Sequence, residues 1–475
     1  MGNTEKLENI STIFKGGSIL FLGNVLSKGP ALLFLIVATR ILGVDGFGTL
    51  ALALSIYAVS QNIALLGLSN TIQRFISGNN EQVRAYYGAV ILIGLLGTIF
   101  FSGVLFFSGA FIANALFKNK ALAEILPWFG PILLITVPVQ LLSAVLRAQG
   151  NMKQAAALNV INSAGRLFFV CILAFLGSLG GVIAAVGLAS IVQLFFAILF
   201  IIRVKLRPDL KTGCRLIPKV FNYSLPLLVA GFGYFQVQQT GRLMLGYYGY
   251  TAGVGQYTAV SNIIQTAGLF HGSVISAFMP PIARAYEAKE FCELKKNYHI
   301  TRKMLASVSG IVVILVVVLG SYVLNLFGPD FTSRNGYLVM ILLGASSFVS
   351  SWFGPTGALL QMTDGNKLEF LNTILLMLLN VILNLILIPH MGVIGAAGAI
   401  LLSNIMTNIL QSVQIYLRIG ITYLHFDMVI WFISVITCLY LLGTGLWWGK
   451  VISLFVAGMG IIYILIKLNS VRKHL

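Results

Sequence analysis

The dominant pattern along the 475 residues is a succession of apolar runs separated by short polar segments. A bilayer's hydrocarbon core needs about 20 apolar residues per helix. Fourteen runs meet that length, near 16–39, 47–72, 86–112, 125–146, 155–177, 181–202, 221–247, 254–281, 303–326, 337–361, 368–388, 393–416, 427–446 and 450–468. The longest polar segments, around 203–219 and 282–302, are too short for a soluble domain. Lys28 and Pro30 lie well inside the first run, and no clear small-residue cleavage site accompanies it. The pattern therefore predicts a retained helix rather than a signal peptide. The expected fold is an all-α polytopic membrane protein of about 14 transmembrane helices.

Composition agrees: 58% of residues are hydrophobic and 9% charged, with a mean hydropathy of +0.93. Soluble domains carry roughly 25% charged residues. The net charge of +18 would suggest nucleic acid in a soluble protein. Here its placement matters more. With the N-terminus in the cytoplasm and fourteen alternating spans, only Arg40, Lys118, Lys120, Arg334 and Lys450 fall outside. Lys28, Arg166 and Arg242 fall within spans, and the other 23 of the 31 basic residues are cytoplasmic. Positive charge collects on the cytoplasmic side of membrane proteins, so the bias predicts that both termini are inside. A twelve-span alternative, ending before the last hairpin, keeps the same orientation. Cys171, Cys214, Cys292 and Cys438 show no pairing pattern, the five histidines have no metal-ligand spacing, and no Walker-type loop is present. No cofactor, metal or catalytic residue is expected.

Two short matches recur at similar offsets. Gly46–Ala53 resembles Gly253–Val260, a shift of 207, and Gly181–Ala185 resembles Gly392–Ala396, a shift of 211. Six spans separate the members of each pair, which predicts parallel repeats of the kind that place a transporter's site between two halves near the midplane. The expected organisation is a six-helix lobe at 1–202, a basic linker at 203–220, a second six-helix lobe at 221–420, and an added two-helix hairpin with tail at 421–475.

Ionisable residues inside a span are costly and mark functional surfaces. Lys28 lies four residues after Asn24 on one face of the first span. Asn159, Asn162 and Arg166 form a stripe on the fifth. Arg242 lies in the outer third of the seventh beside Gln238 and Gln239, and the eighth adds Gln265 and His271. Asn380/Asn384 and Asn404/Asn408 mark spans 11 and 12. The amides serve equally well as helix-to-helix glue, Arg242 as a snorkelling cation, and His271 as a packing residue. All thirteen acids sit in loops or at span ends. Deep cations without deep anions suit an anionic ligand such as a phosphate or diphosphate. A cation pump or proton relay would need a deep carboxylate.

The segment Arg40-Ile41-Leu42-Gly43-Val44-Asp45-Gly46-Phe47-Gly48 resembles the signature after the first helix of the Wzx-type polysaccharide repeat-unit flippases. These belong to the multidrug/oligosaccharidyl-lipid/polysaccharide exporter superfamily. Arg242–Gly246 with Gly255-Gln256-Tyr257 is similar to its counterpart in the second half. Leu146–Asn151 and Gly365-Asn366-Lys367 resemble the turns after helices 4 and 10. Many relatives carry an Asp just before the helix-7 Arg, whereas Thr240-Gly241 stand here. That departure removes the counterion, leaves Arg242 freer to meet an anionic substrate, and puts any acid-dependent coupling there in doubt.

The resemblance implies a V-shaped pair of lobes that open alternately. It also implies a polyprenyl-diphosphate-linked oligosaccharide as substrate, moved from the cytoplasmic to the outer leaflet of the cell's inner membrane. On this reading the substrate-binding residues are Lys28, Arg166 and Arg242 for the diphosphate, with Asn24, Asn162, Gln239 and His271 around them. The partners are the lipid-linked oligosaccharide and membrane lipids, with a polysaccharide polymerase and assembly proteins as further candidates. Nucleic acid is not a partner, and the chain is expected to be a monomer. Two alternatives share the fold: a flippase for the peptidoglycan lipid precursor, and a drug or cation antiporter. A membrane polymerase or ligase is the enzymatic alternative, and the short outer loops with few acids or histidines speak against it.

Overall fold

The computed structural model describes the backbone of residues 3–76, 82–173, 177–204, 208–421, 426–444 and 447–472. Lys205 and Arg207 of the basic linker and the last three residues of the tail lie outside the described residues. Helices make up nearly all of the described chain, and it is an all-α polytopic membrane protein. Among the described residues, eight stretches are long and apolar enough to cross a membrane. The chain divides into two compact units, Met1–Gln239 and Thr240–Leu475.

The first unit contains α1 (Asn3–Ala64), α2 (Leu68–Phe75), α3 (Val83–Phe117), α4 (Lys120–Ile125), α5 (Phe129–Ala148), α6 (Met152–Leu173), α7 (Leu179–Val204) and most of α8 (Leu210–Tyr247). Helix α1 holds the first apolar run and most of the second. At Gly43 the backbone leaves the helical region (φ 68°, ψ −179°), a conformation essentially reserved for glycine. The chain turns back there. As a straight helix, α1 would separate Asn24 from Tyr57 by about 50 Å. Instead both reach α6, Asn24 at Asn159 and Tyr57 beside Arg166, sites seven residues and about 10 Å apart. Pro127 opens a single 3-10 turn (Leu126–Trp128) between α4 and α5, so the fourth span is built from two helices.

The second unit contains α9 (Thr251–Ala267), α10 (Leu269–Glu287), α11 (Phe291–Val318), α12 (Gly320–Phe327), α13 (Arg334–Phe353), α14 (Thr356–Met362), α15 (Asn366–Ile419), α16 (Phe426–Gly443) and α17 (Trp447–Arg472). Helix α15 doubles back at Gly392 (φ 54°, ψ −128°). Its two arms are joined by reciprocal amide bonds, Asn372 Nδ2 to Gln414 Oε1 at 2.7 Å and Gln414 Nε2 to Asn372 Oδ1 at 3.0 Å. Asn380 donates to Ser403 nearer the turn.

Several apolar runs that read as single spans are broken, among them the second between α1 and α2 and the ninth between α11 and α12. The eighth divides at Gly268 into α9 and α10, where His271 N–H donates to the Gly268 carbonyl. The tenth divides at Gly354-Pro355 into α13 and α14. Glycine adopts the positive φ of 86° there, and proline supplies no N–H to continue the ladder. The exposed end of α13 is closed from α11: Arg302 Nε donates to the Trp352 carbonyl at 2.7 Å and Tyr298 OH to the Phe353 carbonyl at 2.7 Å. Helix α16 packs on the same region through Trp431, whose indole donates to the Ala306 carbonyl, and through Phe432 against Phe348 and Trp352.

Candidate functional site

In the first unit the polar residues of α1 and α6 lie at matching depths. Asn159 Nδ2 donates to Asn24 Oδ1 at 3.2 Å, and both side chains are exposed. Counting from the turn at Gly43, Gln61 on the returning arm is level with Asn24, and Tyr57 is level with Lys28 at about 21 Å. One turn further on, Arg166 lies within electrostatic reach of the Tyr57 phenol. Lys28 and Arg166 are both half-buried. The Arg166 Nε is buried with no hydrogen-bond acceptor among the described residues.

The wall beside these cations is a directed chain of hydrogen bonds. Gln61 Nε2 donates to Tyr57 OH at 3.0 Å, and Tyr57 OH lies 2.6 Å from Thr136 Oγ1, whose own proton is given to the Ile132 carbonyl. The phenol is therefore the donor to Thr136 and turns its oxygen lone pair toward Gln61. The group is cationic and polar, and it contains no carboxylate. Asn162 is engaged elsewhere: its Nδ2 donates to Gln193 Oε1 at 2.7 Å, and Gln193 Nε2 donates to the Leu158 carbonyl. That amide ties α6 to α7. Gln239, near the end of the unit on α8, is buried.

In the second unit Arg242 turns onto α9. One of its terminal nitrogens donates to Ser261 Oγ at 2.7 Å, Ser261 in turn donates to the Thr258 carbonyl, and the Tyr257 ring lies against Gly241. His271 Nδ1 lies 3.0 Å from Ser351 Oγ. Because the Ser351 hydroxyl gives its proton to the Ser347 carbonyl, the histidine is the donor through Nδ1. Asn404 Nδ2 donates to Ser346 Oγ, and Glu369 accepts from Gln411 Nε2 at 2.8 Å. Among the described residues no group of three or more His, Cys, Asp or Glu is placed to hold a metal.

Residues 13–286 match the family described as polysaccharide biosynthesis protein. The chain belongs to that family. Its similarity to a probable low-salt glycan biosynthesis flippase, Agl15 of Haloferax volcanii, is 24% identity over 83% of this chain and 81% of that protein. It is also similar to the stage V sporulation protein B of Bacillus subtilis, 22% identical over 85% of this chain and 83% of that one. Among solved structures, the lipid II flippase MurJ in an inward closed conformation aligns with a TM-score of 0.74. It is 15% identical and the alignment covers 96% of this chain and 99% of that one. An inward-facing multidrug transporter of the MOP superfamily aligns with a TM-score of 0.66 at 17% identity, over 83% and 94% of the two chains. The kinship with polysaccharide-pathway proteins expected from Arg40–Gly48 is shown at the level of this family, as is the all-α membrane fold.

For a member of this family, the structure sorts the residues singled out from sequence. Asn24 meets Asn159 and Arg166 faces Tyr57 in the first unit, with Lys28 one turn from Asn24 on α1, whereas Asn162 is committed to α7. Arg242 and His271, in the second unit, are each held by a serine hydroxyl. Tyr57, Gln61 and Thr136 were missed. The one available signal was the i, i+4 spacing of Tyr57 and Gln61 in an otherwise apolar span. Arg302 was read as a cytoplasmic charge, yet it is fully buried, with its guanidinium 4.8 Å from the Trp352 ring centre.

Proposed function

We propose that the chain is a flippase that moves a polyprenyl-diphosphate-linked oligosaccharide from the cytoplasmic to the outer leaflet of the inner membrane. The observation that carries this reading is the buried Arg166 Nε, which has no hydrogen-bond acceptor among the described residues and stands on a helix whose sequence carries no acid, with Lys28 on α1 as the second cation. A diphosphate supplies acceptor oxygens that charge-assisted hydrogen bonds hold strongly. Asn24, Asn159 and Gln61 would meet sugar hydroxyls, while the prenyl tail stays in lipid. Alternating access between the lobes at 1–202 and 221–420 would expose these cations to each leaflet in turn. Family membership and the flippase Agl15 support the glycan cargo. Arg242, His271, Asn162 and Gln239 serve on this reading as supporting residues that hold helices in place.

A second reading keeps the mechanism and changes the cargo to the peptidoglycan lipid precursor. It rests on the fold likeness to the lipid II flippase. The two readings share the diphosphate and differ in the sugar.

The test is surface glycan in a flippase-null strain carrying Lys28 and Arg166 variants, normalised to protein in the membrane. Removing one partner of a desolvated charge pair costs roughly 2–5 kcal/mol, and 1.4 kcal/mol is about tenfold in affinity. Lys28→Ala and Arg166→Ala should each lower export at least tenfold at similar abundance. Arg166→Lys should rescue in part, since charge is retained without the planar fork, and Arg166→Gln should not. Full complementation by both alanine variants would reject the cationic site.

A further inference from the structure

We propose that the N-terminal half of α8 is a docking surface for anionic phospholipid headgroups at the membrane interface. At 1.5 Å per residue, the 38-residue α8 is about 57 Å long, well beyond a hydrocarbon core of about 30 Å. The stretch from Leu227 to Tyr247 is enough to cross that core. The seventh apolar run begins near 221, so residues 210–220 lie at the interface or beyond it and 221–226 at the membrane edge, and the side chains of 210–226 sort into three faces.

One face is docked on the protein. Gly213 lies against the backbone of Ala85, Gly88 and Ala89, so closely that a Cβ there would come within 2.6 Å of Ala89 N. Val220 and Ser224 are fully buried on the same side. The Asp209 carboxylate accepts from Thr212 N–H at 3.1 Å, and its main chain bonds to the Arg84 carbonyl, anchoring the start of the helix on α3. A second face is apolar yet exposed: Leu210, Phe221 and Leu225, with Cys214 among them. The third is basic: Lys211, Arg215 and Lys219, at spacings of four, are all exposed. Residues four apart lie on one side of a helix, so these three form a continuous stripe beside the apolar face.

An apolar flank beside a basic flank is the pattern of a helix lying in the headgroup region, with one flank in acyl chains and the other on phosphates. Part of the basic stripe is pre-positioned. Lys219 Nζ donates to Tyr86 OH at 2.8 Å, and next to it Arg74 donates to Tyr223 OH at 3.0 Å and stacks over the Tyr223 ring. Exposed Arg84, whose carbonyl accepts from Asp209 N–H, enlarges the same positive surface, and Asp209 is its one acid among these residues.

The basic segment of the second unit differs. There Arg284, Lys289, Lys295 and Lys296 alternate with Glu287, Glu290 and Glu293, and Glu290 and Glu293 share a hydrogen bond that raises the Glu290 pKa. An orientation signal alone predicts two equivalent basic segments. The unneutralised stripe beside exposed apolar residues belongs to α8.

The experiment is native mass spectrometry of the full-length purified protein with phosphatidylglycerol and phosphatidylcholine of matched chains. The wild type should retain phosphatidylglycerol preferentially, and less of it as salt rises. A juxtamembrane basic residue contributes about a factor of five in anionic-lipid affinity, so Lys211→Gln with Arg215→Gln should lower it about twenty- to thirty-fold. Each single variant should lower it about fivefold, and Arg215→Lys should retain it. Lys289→Gln with Lys296→Gln should leave it unchanged. Equal retention of the two lipids by the wild type would overturn the proposal, as would wild-type behaviour of the double variant. Preferential retention of polyprenyl diphosphate through the same residues would overturn it too, because the stripe would then serve cargo. The readout is lipid binding, so it fails or stands independently of the export assay on Lys28 and Arg166.

Discussion

A buried guanidinium is costly unless its surroundings compensate the charge, and Arg166 and Arg302 differ in what the protein sets around them. Arg302 is held by the protein: its Nε donates to the Trp352 carbonyl at the broken end of α13, and its guanidinium lies 4.8 Å from the Trp352 ring centre. Arg302→Met should lower unfolding stability by about 2–4 kcal/mol, combining a lost charged hydrogen bond with a lost cation–π contact. Arg302→Lys should not restore it, because an ammonium cannot present the same flat face. Thermal unfolding of the detergent-solubilised protein measures both. Tyr57, which is buried, links Gln61 to Thr136 beside Arg166. Tyr57→Phe strands a polar group on each side and should cost about 1–3 kcal/mol in the same assay. An unchanged melting temperature would mean that the phenol is dispensable to the wall.

At the scale of elements, the shape of each unit depends on where apolar helices stop. Gly43 has open space around its Cβ position, so a substitution there meets backbone strain rather than a clash. Gly43→Ala should destabilise by about 1–3 kcal/mol. Gly43→Asn should do no better, because the ψ of −179° lies outside the left-handed helical region that asparagine tolerates. A milder effect of asparagine in thermal unfolding would contradict the extended geometry of the turn. The two arms of α15 test the role of amides as glue. Asn372→Leu alone leaves the Gln414 amide without its partner and should cost about 1 kcal/mol. Joined with Gln414→Leu, most of that loss should return, since removing both partners of a buried pair is close to neutral. Equal losses in the single and double variants would show that packing around Asn372, rather than the hydrogen bonds, is what matters.

For the whole molecule, orientation is the prediction with most resting on it. A reporter active only outside the cytoplasm should be silent when fused within 203–219 or 284–302, and active when fused near Lys118. Activity at the two basic segments would overturn the alternation of fourteen spans. The sequence by itself determined the all-α membrane fold, through runs that only a bilayer makes sense of, and the family, through short glycine-bearing motifs such as Arg40–Gly48. It also showed deep cations without deep carboxylates, because charge in a span is rare enough to be read one residue at a time. Tertiary structure alone decided which of the polar residues belong together. Asn159 and Asn162 stand one turn apart on α6, yet one meets Asn24 of α1 and the other is spent on Gln193 of α7. Tyr57 joins Arg166 only because α1 folds back at Gly43, and Arg302 is buried only because α13 breaks at Gly354. The physical reason is that lipid tails are as apolar as a protein core. Hydropathy then marks a helix as membrane-embedded without saying which of its faces meets lipid, and the partners of each polar side chain follow from helix packing.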